Sequence, residues 1–306
     1  MIEEVETKFK KDLKKNWGDW GVTSEIGKLR SVLLRKAGKE IEGIEDYKKY
    51  SLKSLWDPAK VRYQQEELID IYKNNGVEVH LIEEMGEDKP NGIFVRDLVF
   101  MTNEGAIIAR PAIECRQGEE VYAAKQLMKL GVPIIKTITG NGIFEGACGL
   151  WLDRETVLLG YGYRCNQSGF LQVEEELRNI GVKNLIKAEI PRGLAHLDSF
   201  LAFADYKVAL SSKISAPNSI YEELMEREIK IIEIPSDIEF QNFCHNFVAL
   251  EPGKIIMPEG SPKTQSLLEK EGIEVITTDM SEIQKGNGAI HCMTAFLKRD
   301  DVPLYK

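Results

Sequence analysis

A unit of strand, helix and returning strand recurs five times along the chain, and this repeat constrains the fold more than any other feature. Each unit reads as a run or hairpin of apolar residues, an amphipathic helix and a second apolar strand. The opening strands or hairpins are predicted at 29–36, 94–112, 149–161, 198–211 and 247–258, and the helices at 58–75, 118–130, 170–179, 218–227 and 262–271. In four units a glycine joins the helix to the returning strand, which is typical of a helix C-terminus; these are Gly76, Gly131, Gly181 and Gly272.

This alternation of strands and helices has two interpretations. One is a parallel sheet with a single nucleotide site. However, the hairpin at 198–211 implies antiparallel pairing, and no Gly-x-Gly-x-x-Gly or P-loop follows a strand. The sequence therefore favours an α/β fold in which repeated ββαβ units form a five-fold pseudo-symmetric α/β propeller. No Pro-, Gly- or Ser-rich linker divides the chain, so residues 1–306 are predicted to form a single domain.

Charge and cysteine content argue against several kinds of partner. The net charge of -9 disfavours nucleic acid and anionic membranes. The charged N-terminus does not resemble a signal peptide, and no apolar run is long enough to span a membrane. Five cysteines without a Cys-x-x-Cys pair predict free thiols in a cytoplasmic protein. The histidines show no metal-ligand spacing, so no metal is expected.

Charged residues inside apolar runs mark candidate functional positions, because burying a charge is costly without a partner or a task. Taken singly, each candidate has an ordinary explanation as a turn, a loop or a core residue. The candidates are Asp97 in FVRD, Glu145 in FEGACG, Arg164 in GYGYRCNQ, His196 and Asp198 in AHLDSF, and Cys292 in GNGAIHCMT.

Together these residue types suit an attack on a resonance-stabilised cation. Two carboxylates can bind the nitrogens of a guanidinium with paired hydrogen bonds. A thiolate can attack the guanidinium carbon, and a histidine can transfer a proton to the departing nitrogen. The bound cation would itself lower the pKa of the attacking thiol. This chemistry requires no cofactor.

From about residue 21 to residue 300 the chain resembles the guanidino-group modifying enzymes, and the stretch NNGVEVHLIEE (74–84) looks most like arginine deiminases. This superfamily includes arginine deiminases, dimethylarginine dimethylaminohydrolases, agmatine deiminases and amidinotransferases. Its fold is a five-fold pseudo-symmetric α/β propeller. The resemblance implies a catalytic domain that acts on a small-molecule guanidino substrate, and it is compatible with a homodimer.

The resemblance also implies a role for each candidate residue. Asp97 and Asp198 match the acids that grip the guanidinium, and Cys292 matches the nucleophile. His196 matches the acid–base, and Glu145 matches the acid that pairs with that histidine.

A sixth candidate and two departures bear on the substrate. Arg164 lies where arginine deiminases carry an arginine for the substrate α-carboxylate, which implies an amino-acid substrate rather than agmatine. Cys148 replaces the acid of the usual Glu-Gly-Gly-Asp segment, and the chain is shorter than typical arginine deiminases and closer in length to the dimethylarginine hydrolases. His291 before the nucleophile is more like agmatine deiminases and amidinotransferases, so the subfamily stays open. We expect an acid at residue 148 to be tolerated; the alternative is that Cys148 packs against apolar neighbours such as Leu150.

The predicted reaction is hydrolysis of L-arginine or a close analogue to citrulline and ammonia through a covalent thiouronium on Cys292. Transfer of the amidino group to an acceptor amine and dihydrolysis to ornithine are the alternatives. A binding protein without chemistry, such as the translation factor with a similar propeller, would not need Glu145, His196 and Cys292 together.

Overall fold

The computed structural model describes residues 11–212 and 215–305, and the strands in this part of the chain form five separate three-stranded sheets. The prediction of an α/β fold is confirmed. The strands are β1 Leu29–Leu34, β2 Glu78–Leu81, β3 Val99–Met101, β4 Ala106–Ile108, β5 Ile134–Thr137, β6 Gly149–Asp153, β7 Thr156–Tyr161, β8 Asn184–Glu189, β9 Leu201–Asp205, β10 Val208–Ser211, β11 Lys230–Glu233, β12 Val248–Glu251, β13 Lys254–Pro258, β14 Glu274–Thr278 and β15 Ala295–Arg299.

Each of the five predicted helices is present and leads into the returning strand of its unit. The long helix of the first unit begins where the sequence supplies a cap, because the Asp57 side chain accepts hydrogen bonds from the backbone of Ala59 and Lys60. From residue 58 onward the helices are α1 Pro58–Asn74, α2 Glu119–Leu130, α3 Gln167–Asn179, α4 Asn218–Glu226, α5 Asp237–Gln241, α6 Pro262–Lys270 and α7 Ile290–Met293.

Four sheets have the predicted ββαβ arrangement. In the sheets β3–β4–β5, β6–β7–β8, β9–β10–β11 and β12–β13–β14, the first two strands form an antiparallel hairpin. The third strand returns through a helix and pairs in parallel with the second. The hairpins that argued against a single parallel sheet are therefore present.

The first sheet differs from the prediction, because its unit contains no hairpin of its own. Its central strand β1 pairs in parallel with β2 and antiparallel with β15, with Leu29 opposite Arg299. The C-terminal strand thus supplies the third position of the first sheet. Because β15 begins just after Cys292, this pairing also anchors the segment that carries Cys292.

Backbone conformation explains the glycines between helix and returning strand. Gly76, Gly131, Gly181 and Gly272 have φ values of +75°, +79°, +95° and +83°, in the left-handed region that favours glycine. In the fourth unit Glu228 occupies this position with φ +56°. The joint thus has the same left-handed geometry where the sequence lacks the glycine.

A continuous apolar core fills the space between sheets and helices. The ring of Phe100 stacks on Trp151 with centroids 5.7 Å apart, and the Trp151 indole donates to the Met101 carbonyl at 2.9 Å. Among the described residues, no helix combines the length and the apolar character needed to cross a membrane.

Candidate active site

All the predicted site residues lie in or directly behind one pocket of about 440 Å³. Asp97, Arg164, His196 and Cys292 line it. Glu145 and Asp198 are fully covered and contact the lining residues from behind. Six positions spread over most of the chain are therefore neighbours in the fold.

Short 3₁₀ turns at the start of three sheets carry the acidic candidates. Asp97 lies in the turn before β3, and Asp198 lies in the turn before β9. Glu145 directly precedes the turn before β6. Each turn ends a connection just as the chain enters an apolar strand, so side chains of the turns meet at one end of the sheets.

Two glycines allow these segments to pack closely. A Cβ on Gly146 would lie 2.4 Å from the carbonyl oxygens of Arg96 and Val99. A Cβ on Gly288 would lie 2.5 Å from the ring of Phe94, which lines the pocket. Both distances are shorter than real carbon contacts, so glycine is required at both positions.

His196 is held by an acid on the side away from the pocket. Its Nε2 lies 2.6 Å from Glu145 Oε2, and Arg164 Nη1 donates to both Glu145 oxygens at 2.9 and 3.0 Å. Burial alone would raise the pKa of Glu145, but His196 and Arg164 lower it below its usual range. Burial likewise lowers the pKa of His196, but Asp97 and Glu145 outweigh burial and raise it. The neighbouring acids therefore favour the imidazolium form of this histidine.

Two buried carboxylate oxygens face His196 without a hydrogen-bond partner in the described structure. Asp97 Oδ1 and Asp198 Oδ1 lie 3.6 and 3.9 Å from His196 Nδ1. The second oxygen of each acid is already engaged, that of Asp97 by Arg116 and that of Asp198 by His291 Nδ1 at 2.8 Å. Each carboxylate is thus held through one oxygen. Its other oxygen has no hydrogen-bond donor among the described residues.

The thiol of Cys292 lies beside one of these acids. Its Sγ is 3.7 Å from Asp198 Oδ2 and 3.1 Å from the amide Nδ2 of Asn246, while Asn246 Oδ1 accepts from the Cys292 backbone N–H at 3.2 Å. Burial and the charges of Asp198 and Asp97 raise the pKa of Cys292 well above its usual value. The surroundings of Cys292 therefore favour the protonated thiol.

Sequence reasoning missed Arg116 and Asn246, which both line the pocket. Arg116 is buried, and it donates to Asp97, to Glu119 Oε2 at 2.8 Å and to the Phe94 carbonyl at 3.1 Å. It lies in a loop region without apolar periodicity, so no sequence signal marked it. Asn246 directly precedes an apolar strand, as the acidic candidates do, and that position could have identified it.

The acids and the histidine also form a group that could offer ligand atoms to a metal. Asp97, Glu145 and His196 place three such atoms within 4.8 Å of one another. However, Arg164 already neutralises Glu145, and Arg116 already neutralises Asp97. The expected absence of a metal stays a prediction.

Cys148 lies in the apolar core rather than at the pocket. Its side chain is fully buried, and burial raises its pKa well above the usual value. Its position supports the packing alternative and argues against the expectation that an acid would be tolerated there.

We therefore expect Cys148→Asp to lower the free energy of unfolding at pH 7 by roughly 3–5 kcal/mol, the cost of an uncompensated buried charge. The buried carboxyl would have a raised pKa, so the deficit should shrink as the pH falls toward 4. Urea unfolding at both pH values measures it, with Cys148→Ala as the size control. A deficit that is equal for both variants and independent of pH would contradict this explanation.

Comparisons with known proteins confirm the superfamily that the sequence indicated, the guanidino-group modifying enzymes. Within it, residues 43–299 match the family model described as N,N dimethylarginine dimethylhydrolase, eukaryotic, and the chain belongs to that family.

The relatives include a dimethylarginine dimethylaminohydrolase and an arginine deiminase. An N(G),N(G)-dimethylarginine dimethylaminohydrolase from Pseudomonas aeruginosa is 27% identical over 241 residues, which cover 78% of this chain and 89% of the relative. An arginine deiminase from Bacillus cytotoxicus is 24% identical over a gapped alignment of 405 positions, which covers 92% of this chain and 98% of the relative. The solved structure of the Pseudomonas aeruginosa DDAH in complex with citrulline has a TM-score of 0.73 and 25% identity, and it covers 88% of this chain and 99% of that one. The prediction of an enzyme of this superfamily is confirmed.

Proposed function

We propose that the chain hydrolyses the guanidinium group of L-arginine or a close analogue and releases citrulline and ammonia. The observation that carries this proposal is the pair of unpartnered oxygens, Asp97 Oδ1 and Asp198 Oδ1, in the pocket of Cys292. A guanidinium has one positive charge and N–H groups on several sides, so it would satisfy both oxygens.

The proposed reaction begins when the bound cation lowers the pKa of Cys292 and the thiol proton leaves to solvent. The thiolate attacks the guanidinium carbon and forms a C–S bond. The imidazolium of His196 donates its Nδ1 proton to one ω-nitrogen, which departs as ammonia and leaves a thiouronium on Cys292. Glu145 holds the opposite ring nitrogen and stabilises the charged imidazole.

Water completes the cycle. The neutral His196 takes a proton from a water molecule, and the resulting hydroxide attacks the thiouronium carbon. The C–S bond breaks, the Cys292 thiolate leaves, and the proton of the added hydroxyl is lost to solvent as the carbonyl group of citrulline forms. In this scheme His196 gives and takes its proton at the same ring nitrogen, Nδ1, which lies 3.6 Å from Asp97 Oδ1 and 3.9 Å from Asp198 Oδ1.

Hydrogen-bond donors favour an unmethylated guanidinium over the dimethylated substrate for which the family is named. Asp97 Oδ1 and Asp198 Oδ1 both need N–H donors. A dimethylated ω-nitrogen has no N–H group, so it would leave an acceptor that faces it without a partner. Dimethylarginine would satisfy the site only if its methyl groups pointed away from both acids.

We also propose that the five units close into a ring around the pocket, as one catalytic domain over residues 1–306. In support, β9 contacts β12, β12 contacts β1, and β15 contacts β3. The turns that carry Asp97, Glu145 and Asp198 contact one another in the same order. The five free thiols fit the proposed cytoplasmic location.

Product analysis tests the proposal. The protein is incubated with L-arginine, agmatine and dimethylarginine in parallel, and amino acids, ammonia and urea are quantified. Citrulline with one equivalent of ammonia is the expected result with arginine. Ornithine with two equivalents of ammonia would indicate a dihydrolase, and ornithine formed only with an added acceptor amine would indicate a transferase. No product from any guanidino compound would overturn the proposal.

Arg164 is the proposed partner of the substrate α-carboxylate, because it lines the pocket and stays partly exposed there. Replacing it with alanine should raise KM for arginine more than KM for agmatine, which lacks the carboxylate. A charged hydrogen bond is worth roughly 1.5–3 kcal/mol, so the difference should be about ten-fold or larger. Loss of the Glu145 contact should lower kcat for both substrates.

Steady-state kinetics with the two substrates measure this selectivity, and the exposed Arg154→Ala serves as the matched control. Equal changes of KM for arginine and agmatine would show that another group binds the carboxylate.

A further inference from the structure

A buried row of charged groups lies directly behind the pocket, and the roles proposed above leave most of it unexplained. His291 Nδ1 is 2.8 Å from Asp198 Oδ2, and His291 Nε2 is 3.3 Å from Glu25 Oε2. The other Glu25 oxygen accepts from Arg96 Nη2 at 3.1 Å and from the Trp151 backbone N–H at 3.3 Å. All of these side chains are buried. The row links helix α7, which carries His291 and Cys292, to the segments before β9, β1 and β3. These segments carry Asp198, Glu25 and Arg96, respectively.

Carboxylates on both sides fix the protonation state of His291. A neutral imidazole has one nitrogen without a proton, and here that nitrogen would point a lone pair at a carboxylate. Burial raises the pKa of Glu25, but Arg96 and His291 outweigh burial and lower it to about 2, so Glu25 is ionised. The pKa of Asp198 is also lowered, because His291 outweighs burial. With a carboxylate oxygen 2.8 Å from Nδ1 and another 3.3 Å from Nε2, the geometry favours a proton on both nitrogens of His291.

Building on the hydrolase mechanism above, we propose that His291 is a positioning residue, a fixed imidazolium that neutralises Asp198 Oδ2 beside the Cys292 sulfur. The oxygen that accepts from His291 is the same one that lies 3.7 Å from Cys292 Sγ. A bare carboxylate oxygen at this distance would strongly disfavour a thiolate. The same hydrogen bond holds Asp198 Oδ2 in place and leaves Oδ1 for the cationic substrate.

Charges on the surrounding elements favour this state of His291. Burial lowers its pKa, but Asp198 and Glu25 outweigh burial and raise it, while Arg96 acts in the opposite direction. Arg299 on β15 acts on Glu25. His245 is neutral, because burial lowers its pKa to about 4. Asp198 and Glu25 thus lie at hydrogen-bond distance from the imidazole of His291. Arg96, which opposes the positive charge, forms no hydrogen bond with it.

The pH dependence of Cys292 alkylation tests the proposal. In His291→Gln the positive charge is gone, so the thiolate should be harder to form. We expect the midpoint of the iodoacetamide alkylation profile at Cys292 to move up by about one pH unit or more, which is about ten-fold slower alkylation at a fixed pH below the midpoint. Peptide mass spectrometry resolves Cys292 from the other thiols, and the half-buried Cys115 in the same sample is an internal reference.

The matched control is His245→Gln, which removes a buried imidazole that is already neutral. Its Cys292 midpoint should stay at the wild-type value. A midpoint that is unchanged or lower in His291→Gln would overturn the proposal. Alkylation requires no turnover, so this result is independent of substrate identity. If wild-type protein gave no product while the midpoint still moved, the hydrolase proposal would fail and the role of His291 beside the thiol would stand.

A measurement on the wild-type chain covers the case in which His291→Gln does not fold. The chain contains four histidines, so ¹⁵N-histidine labelling gives few side-chain signals, and single substitutions of the other three assign His291 by elimination. Both ring nitrogens of His291 should remain protonated between pH 6 and pH 8. A neutral His291 at pH 7 would overturn the proposal.

Discussion

Replacing Cys292 with serine should abolish the turnover of L-arginine, with a loss of roughly 10⁴-fold or more in kcat. A serine hydroxyl is far less acidic than a thiol, and the buried acids Asp97 and Asp198 disfavour any anion at this position. The fold should persist, because the side chain contacts Asn246 and Asp198 and the change of size is small. Product formation and Tm, measured on the same preparation, check both parts.

The matched control is Cys115→Ser, since Cys115 is a half-buried thiol near the pocket that has no proposed role in the reaction. It should keep turnover close to that of the unmodified protein. A mass spectrum of the unmodified protein, quenched with acid during turnover of arginine, should show a covalent adduct on Cys292. More than about 1% residual activity in Cys292→Ser would exclude the thiol as the nucleophile.

Local signals were sufficient to predict most of the fold. The left-handed glycines such as Gly131 and the hairpin at 198–211 act within a few residues, so the sequence displays them directly. The pairing of β1 with β15 was not predictable from local signals. Leu29 pairs with Arg299 across almost the whole chain, and no local pattern records which distant strand completes a sheet.

The residues of the candidate site were likewise predictable only where a local sequence signal marked them. Asp97 and His196 were recognisable because they interrupt apolar runs where strands begin. Arg116 has no such context, and its importance appears only when its loop lies against Asp97. Sequence spacing also could not show that Glu145 and Arg164 are bound to each other, which gives Arg164 a structural partner in addition to its proposed substrate.

Asp97→Asn should lower kcat/KM for arginine by roughly 10²–10⁴-fold, as expected when a buried charge pair worth about 3–5 kcal/mol is broken. The asparagine oxygen can still accept from Arg116, so the shape of the site is retained while the charge offered to the guanidinium is lost. The same change should have the opposite effect on the free thiol. Asp97 raises the pKa of Cys292, so removing its charge should allow Cys292 to be alkylated at lower pH.

This combination, a more acidic thiol in a less active enzyme, separates loss of substrate binding from general damage to the site. Steady-state kinetics and the alkylation profile of Cys292 measure the two effects on one variant. Asp153→Asn is the control, because Asp153 is a buried aspartate that caps the Glu155 backbone away from the pocket, and its loss should affect Tm rather than kcat/KM. If Asp97→Asn kept kcat/KM within about ten-fold of wild type while Cys292→Ser was inactive, then Asp97 would not bind the guanidinium, and Asp198 would have to hold the cation alone.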